Sequence, residues 1–322
     1  MSYRRTIRKN TESPKNTEIN AKISPWKRGG IFLFSVVSLV WKFILFIWYW
    51  FQRFFLLIFL FALTVWLGWW LSQKPSNLRD WNPSESILST ISYSGNIASI
   101  QNIRNYQWTS ESTSTPGYYD STYDLDKIES LYYMIVPFSN FDGPAHTMLS
   151  FGFSDGKKVV ISAEIRKERG ESFDALKWLM NQFEMTYIIA DEQDVIKLRT
   201  NYRKNTVYMY SIKTPKEKIQ SLFRTMLIRA DKLSREPEFY NTLWNNCTTS
   251  ILMHANALRD DKIGWSIDTV LPAHSDALVY GLGLIDTSLS LPDARAYYRI
   301  DERARNAGTW TLFSDVIRVS KK

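Results

Sequence analysis

From Ile31 to Ser72 the chain is almost continuously apolar, broken by Lys42 and by Gln52-Arg53. As a single helix this block would run about 63 Å, roughly twice the hydrocarbon thickness of a bilayer, so it is expected to bend or divide. Phe54 to Leu71 reads as a strong span, with Trp66, Trp69 and Trp70 suited to the interfacial belt at its outer end. Ile31 to Phe51 reads either as a second span or as a helix in the interface with Lys42 snorkelling, because a lysine at mid-membrane costs roughly 3 kcal/mol. No turn residues mark a hairpin at Gln52-Arg53 and no small-residue cleavage site follows. One retained span is therefore preferred to a hairpin or a removable signal peptide.

The formal charge of +8 is confined to the start of the chain. Residues 1–30 carry eight Lys/Arg against Glu12 and Glu18, and from residue 54 onward 30 basic and 30 acidic residues cancel. A nucleic-acid binder would concentrate positive charge on its folded part, so that partner is excluded. The Lys/Arg excess places the N-terminus in the cytoplasm, attracted to anionic headgroups of the lipid bilayer, and one span then delivers everything after it to the outside. The chain divides into a disordered basic cytoplasmic tail (1–30), a membrane segment (31–72, with 54–71 the strong span and 31–51 the possible second), a linker (73–85) and an extracytoplasmic α+β domain of catalytic type (86–322).

The only cysteine lies in Tyr240 to Leu258, YNTLWNNCTTSILMHANAL. Asn245 and Asn246 suit a helix N-cap and the apolar period that follows is helical, which puts Cys247 in a first turn. Unpaired N–H groups and the helix dipole lower a thiol pKa there, preparing a nucleophile; a small buried hydrophobe is the alternative. Asn246 and the Cys247 N–H would supply an oxyanion pocket, with Tyr240 as a second donor.

In AHTMLSFGFSDGKKVVISAEIRKE, Ala145 to Glu168, two strand-like runs flank Ser154-Asp155-Gly156. A three-residue loop with Gly last pairs Phe153 with Lys157 and sets His146 opposite Glu164, whereas a two-residue loop would set Thr147 there. Cross-strand partners have Cβ atoms about 4.5–5.5 Å apart, close enough for a carboxylate to hold an imidazole. Glu164 is otherwise a surface carboxylate paired with Arg166 or Lys157, and His146 otherwise a ring bonded to a carbonyl. Arg166 and Glu168 share its strand face, either to bind a carboxylate or headgroup or as solvated charge. His254, about 10.5 Å along the cysteine's own helix, is out of reach, and His274 would approach only through tertiary folding. One cysteine and three scattered histidines offer no metal cluster, and no cofactor motif appears.

The blocks AHTMLSFGF, ISAEIRKERGE, YIIADEQDVIKLRTNYR and FYNTLWNNCTTSI resemble the Lnb N-terminal periplasmic domain family, over about Asp80 to Ile300. That family is in turn similar to permuted NlpC-type papain-like cysteine hydrolases. The resemblance implies a papain-like α+β fold with an antiparallel sheet packed on a Cys-bearing helix, a bacterial inner-membrane protein with its main domain periplasmic, and acyl transfer or hydrolysis through a thioester on Cys247, with His146 and Glu164. The implied substrate is a lipid, a lipoprotein or cell-wall peptide; a wall amidase or peptidase and a non-catalytic envelope domain are the competing readings. Elsewhere, strands are expected near Ile97–Ile103 and at Ile128–Pro137, Met185–Ala190 and Val207–Ile212. Helices are expected at about Phe173–Gln182, Asp191–Arg199, Pro215–Ser234 and Ala277–Leu284, with a polar, tyrosine-rich loop over Thr109–Asp126.

Overall fold

The computed structural model describes residues 25–138, 143–171, 183–241, 244–264, 266, 272–308 and 313–318. Two compact units emerge, residues 1–71 and 72–322. The first is the helix α1, Pro25–Ser72, uninterrupted over 48 residues. It neither divides at Gln52-Arg53 nor waits until Ile31 to begin; proline's fixed φ suits a first helical turn. Its stretch Phe34–Ser72 is long and apolar enough to cross a membrane. The tail expected over residues 1–24 and the helix expected at 173–182 lie outside the described residues.

The second unit is built on one eight-stranded sheet. Its strands are β1 (Thr90–Ser94), β2 (Ile97–Arg104), β5 (Tyr118–Asp124), β6 (Ile128–Pro137), β7 (Ala145–Phe153), β8 (Lys158–Arg166), β9 (Glu184–Ala190) and β10 (Tyr208–Ser211); between β2 and β5 the chain forms a separate two-stranded piece, β3 (Gln107–Trp108) and β4 (Ser114–Thr115). The order is β1-β2-β9-β8-β7-β6-β10, with β5 also on β2. The sheet is mixed rather than antiparallel throughout: β2 meets β9 in parallel at Arg104↔Ala190. A bulge between Ile100 and Ile103 explains the brevity of this contact. There Asn102 takes φ 60° and gives its N–H to Asp120, bending β2 so that only its tip reaches β9.

β5 occupies part of the stretch expected to be a loop. Its polar sequence hides the strand, because only Tyr123 of its seven residues is buried. The β7–β8 turn follows the three-residue pattern, with Gly156 at φ 87° and the Phe153 N–H on Lys157 O at 3.0 Å.

Side-chain alternation gives the sheet two buried faces. Leu149, Phe151 and Phe153 point to one cluster and Met148 to the other. The first is covered by a 20-residue helix, Lys216–Arg235, which buries Ile219, Leu222, Phe223, Met226 and Leu227. Its Phe223 ring lies 4.9 Å from Phe151 and 5.5 Å from Phe153. On the second face Val195 and Ile196, with Ala304, Phe313 and Ile317, cover Val136, Met148 and Val160.

The segment read as a linker is docked instead. Ser76 N–H reaches Glu184 at 3.0 Å, Asn77 donates to Leu233 O and Ser234 O, and Trp81 is buried beside a short helix, Pro83–Ser86. Trp81 supplies the apolar surface that a linker lacks.

A buried ion pair fixes the helix Glu192–Lys197 to the end of β2. Arg104 makes a two-pronged contact with Asp194 at 2.7 and 3.1 Å, and Trp108 Nε1 adds 2.8 Å to the same carboxylate. Removing one partner of such a pair leaves the other charge buried and uncompensated. We therefore expect Arg104→Ala to cost about 3–5 kcal/mol in urea unfolding of the detergent-solubilised chain; a loss below about 1 kcal/mol would show that water reaches Asp194.

Candidate active site

The sheet opens where the chemistry collects. The β7–β8 ladder runs from Gly152↔Lys158 to Leu149↔Ile161. Beyond that, β7 stays with β6 as far as Pro137↔Ala145, and β8 stays with β9 as far as Arg166↔Glu184. The result is a slit between Ala145–Met148 and Ser162–Ile165.

A capped helix presents its first residue to this slit. In the helix Cys247–Ala257, Asn246 is the N-cap. Its side-chain oxygen accepts from Thr249 N–H at 2.8 Å, and its own N–H donates to Thr249 Oγ1 at 2.8 Å, a reciprocal capping box. The loop before it is held to β9: Tyr240 N–H donates to Phe183 O and Met185 N–H to Glu238 O. Thr248 Oγ1 lies 3.0 Å from Thr147 Oγ1, both buried, which pins the helix start to β7.

Cys247 is 3 % exposed, yet its surroundings are polar. Its sulfur lies 3.9 Å from Ala145 O and from Thr248 Oγ1. Burial opposes ionisation of the thiol, but the hydrogen bond to His146, the charge of that ring and the Thr147 hydroxyl and N–H outweigh it and bring the pKa down to about 6. Alternation starts His146 on the face opposite Thr147. Its ring meets the sulfur because the strands have parted.

Behind His146 the contacts run in series. Nε2 is 2.7 Å from Ser162 Oγ and 3.5 Å from Glu164 Oε1. Ser162 Oγ donates to Glu164 Oε1 at 2.9 Å, and the same oxygen receives Arg199 Nη2 at 3.0 Å. Burial would raise the Glu164 carboxyl, but the Arg199 guanidinium first, and then the bond and charge of His146, hold it well below the usual carboxylate range. His146 is pushed down by burial and by Arg199, and pushed up more by its bonds to Cys247 and Glu164 and by the Glu164 charge; the net shift is upward.

Asn246 Oδ1 accepts the cap bond, and the Cys247 N–H donates to the Tyr240 hydroxyl at 3.3 Å, so that hydroxyl sits where an arriving oxyanion would meet the N–H. Burial and the charge of Cys247 hold that hydroxyl well above its usual range, and it keeps its proton.

Arg166 is no substrate ligand and no solvated charge. It is buried, stacks 4.3 Å from the Trp81 ring and donates to Glu85 O, Asn77 Oδ1 and Ser86 O, tying down the segment before β1. Glu168 pairs with Arg79. Of the other histidines, His254 is buried against the Tyr187 hydroxyl at 3.1 Å and lowered to about 4 by burial, then by Arg229. His274 ends a turn, Pro272–His274, whose Ala273 N–H bonds Gly143 O near the foot of β7. Among the described residues no three His, Cys, Asp or Glu side chains gather to hold a metal ion.

Ser162 and Arg199 were not anticipated. Ser162 was within reach of the register argument, since it lies two residues from Glu164 on the same face. Arg199 was not: it comes from a π-helical turn, Leu198–Tyr202, continuing the helix Glu192–Lys197, and only the tertiary fold brings it to β8.

No curated protein and no solved structure matches the chain. Residues 114–273 match the family model described as Lnb N-terminal periplasmic domain, a narrower stretch than the resemblance drawn from sequence blocks, yet one that holds Cys247, His146, Ser162, Glu164, Arg199 and Tyr240. With its apolar N-terminal helix the chain fits a membrane-anchored protein with a periplasmic domain, and over residues 114–273 it is similar to the Lnb N-terminal periplasmic domain family.

Proposed function

We propose that this domain is a cysteine acyl-transfer enzyme anchored in the inner membrane, and that its fold is the permuted NlpC-type variant of the papain-like architecture. One observation carries the reading: a lone thiol at the first position of a capped helix, brought to about 6 by an imidazole that a carboxylate backs from behind. The order of the parts, with the His-bearing strand before the Cys-bearing helix, supports the permuted arrangement.

In the first half-reaction the Cys247 thiolate attacks the carbonyl carbon of an ester or amide. The carbonyl oxygen gains the electron pair and takes the Cys247 N–H in place of the Tyr240 hydroxyl, which turns its proton to the same oxygen. Collapse expels the alcohol or amine, protonated by the His146 imidazolium, and leaves a thioester. In the second half-reaction His146 removes a proton from an incoming amine or water, the nucleophile attacks the thioester, and the thiolate leaves. A membrane-anchored chain meets acyl esters of lipids and lipoproteins at the bilayer surface, and that substrate class is the one we favour over cell-wall peptide.

Cys247 is the only cysteine in the chain, so alkylation by iodoacetamide reports on it alone. The midpoint of the rate against pH is expected near 6, with the thiolate lost as pH falls through that value. His146→Ala should move the midpoint upward by more than one unit. The midpoint, rather than the rate at neutral pH, is the diagnostic, because a thiolate loses nucleophilicity as its pKa falls and so offsets much of its greater abundance. A wild-type midpoint at or above the free-thiol value of about 8.5 would overturn the reading and leave a non-catalytic envelope domain.

Incubation of the full chain with diacyl phospholipid vesicles should add one acyl chain to the Cys247 peptide, detected by mass spectrometry and absent in Cys247→Ala. Release of peptide from cell wall without any acyl adduct would reassign the protein as a wall amidase.

A further inference from the structure

We infer that Ser162 is a positioning residue for this site: its hydroxyl, rather than the Glu164 carboxylate directly, holds the His146 ring, and it holds it with Nδ1 toward the thiol. The inference rests on the acyl-transfer reading above and goes one step further, to the direction in which each proton points.

Distances decide the partner. Nε2 to Ser162 Oγ is 2.7 Å, a full hydrogen bond, whereas Nε2 to Glu164 Oε1 is 3.5 Å, at the limit where such a bond contributes little. Ser162 is fully buried, so no solvent molecule competes for its hydroxyl.

Donor counting then fixes polarity. Glu164 Oε1 is already the acceptor of the Arg199 Nη2 proton at 3.0 Å, and an ionised carboxylate can only accept. Ser162 has a single proton and spends it on Glu164 at 2.9 Å. Its oxygen must therefore accept from His146, which places a proton on Nε2 in both charge states of the ring. The remaining nitrogen, Nδ1, is the one left to bond Cys247 and to take up or return its proton.

Arg199 keeps the carboxylate from slipping past Ser162 to the imidazole. Its other arm, Nη1, donates to Val195 O at 2.9 Å, so the guanidinium is fixed at both ends. Other charged groups act on this cluster from several elements: Arg104 of β2 on Glu164, Glu85 of the Pro83–Ser86 helix on the same carboxylate, and Arg203 beside Arg199. Tyr240 and Tyr133 face the thiol.

The test is a double-mutant cycle read through the pH midpoint of Cys247 alkylation in the full detergent-solubilised chain, with Ser162→Ala, Glu164→Gln and the pair combined. Each single variant is expected to raise the midpoint by about one unit, a tenfold rise in proton affinity. The double variant should rise no further than the larger single, because both cut one chain of contacts. A Ser162→Ala midpoint equal to wild type, or two shifts that simply add, overturns the inference.

A second measurement needs no variant. In chain labelled with 15N-histidine, the neutral His146 ring is expected as the Nε2–H tautomer, and an Nδ1–H ring overturns the proposal even where Ser162→Ala fails to fold. A wild-type midpoint near 9 would sink the acyl-transfer reading while the tautomer still reports on Ser162, so the two failures are separable.

Discussion

A carboxylate inside a protein is expensive to keep ionised, and the Glu164–Arg199 contact is what makes an anion at the slit possible. Without a cation, burial would favour the protonated acid. That acid would present a donor where Ser162 needs an acceptor. The direction of every hydrogen bond from Glu164 through Ser162 to His146 then follows from one charge. Arg199 also limits what that charge does: it lowers His146 while Glu164 and Cys247 raise it, and the net shift is upward. The pair sets the working point of the imidazole more than it adds stability, in keeping with the modest net worth of buried ion pairs.

The slit has its own mechanical cause. β7 is committed to β6 through Ala145 and β8 to β9 through Arg166, and those neighbours diverge. Contacts from outside hold the gap. On one side Thr147 and Thr248 lock the helix start to β7; on the other Arg166, stacked on Trp81, fastens the end of β8 to the segment before the sheet. The capping box, two reciprocal contacts between Asn246 and Thr249, sets the entry angle of the Cys247 helix. Farther back, the Arg104–Asp194 pair holds the helix from which the Arg199 turn hangs. The line of dependence thus runs from β2 through two buried ion pairs to the thiol.

What the sequence disclosed and what it withheld divide along the range of the interactions. The β7–β8 register was readable because Gly156 in a three-residue loop dictates it locally, but the ladder ends at Leu149↔Ile161, and His146 and Glu164, expected as cross-strand partners, meet beyond it through Ser162. The helix start at Cys247 was readable from Asn245, Asn246 and the helical period that follows. Interactions that depend on a third element were not: the parting of β7 from β8 is decided by β6 and β9, and Arg199 reaches Glu164 from 35 positions away in the chain. Arg166 misled for the same reason. On a strand whose far end is half exposed, an arginine looks solvated, and only the docking of Trp81 over it removes it from water. β5 escaped notice because an edge strand with one buried residue has almost no apolar alternation to detect.

A thiol poised near 6 is mostly thiolate at neutral pH, the form that oxidants attack most readily. A periplasmic setting makes that exposure continuous, and with a single cysteine the chain has no second thiol of its own to resolve a sulfenic acid. The structure answers with access rather than with pKa. At 3 % exposure, between Ala145 O, Thr248 and the Tyr240 hydroxyl, the sulfur is charged but screened. In the proposed acyl-transfer reaction the same screening would select the substrate: a carbonyl that displaces the Tyr240 hydroxyl from the Cys247 N–H gains a donor as it arrives, whereas a small oxidant that makes no such exchange gains nothing by entering. Protection of the thiolate and the proposed recognition would then be one arrangement, and both rest on the helix start being held against β7.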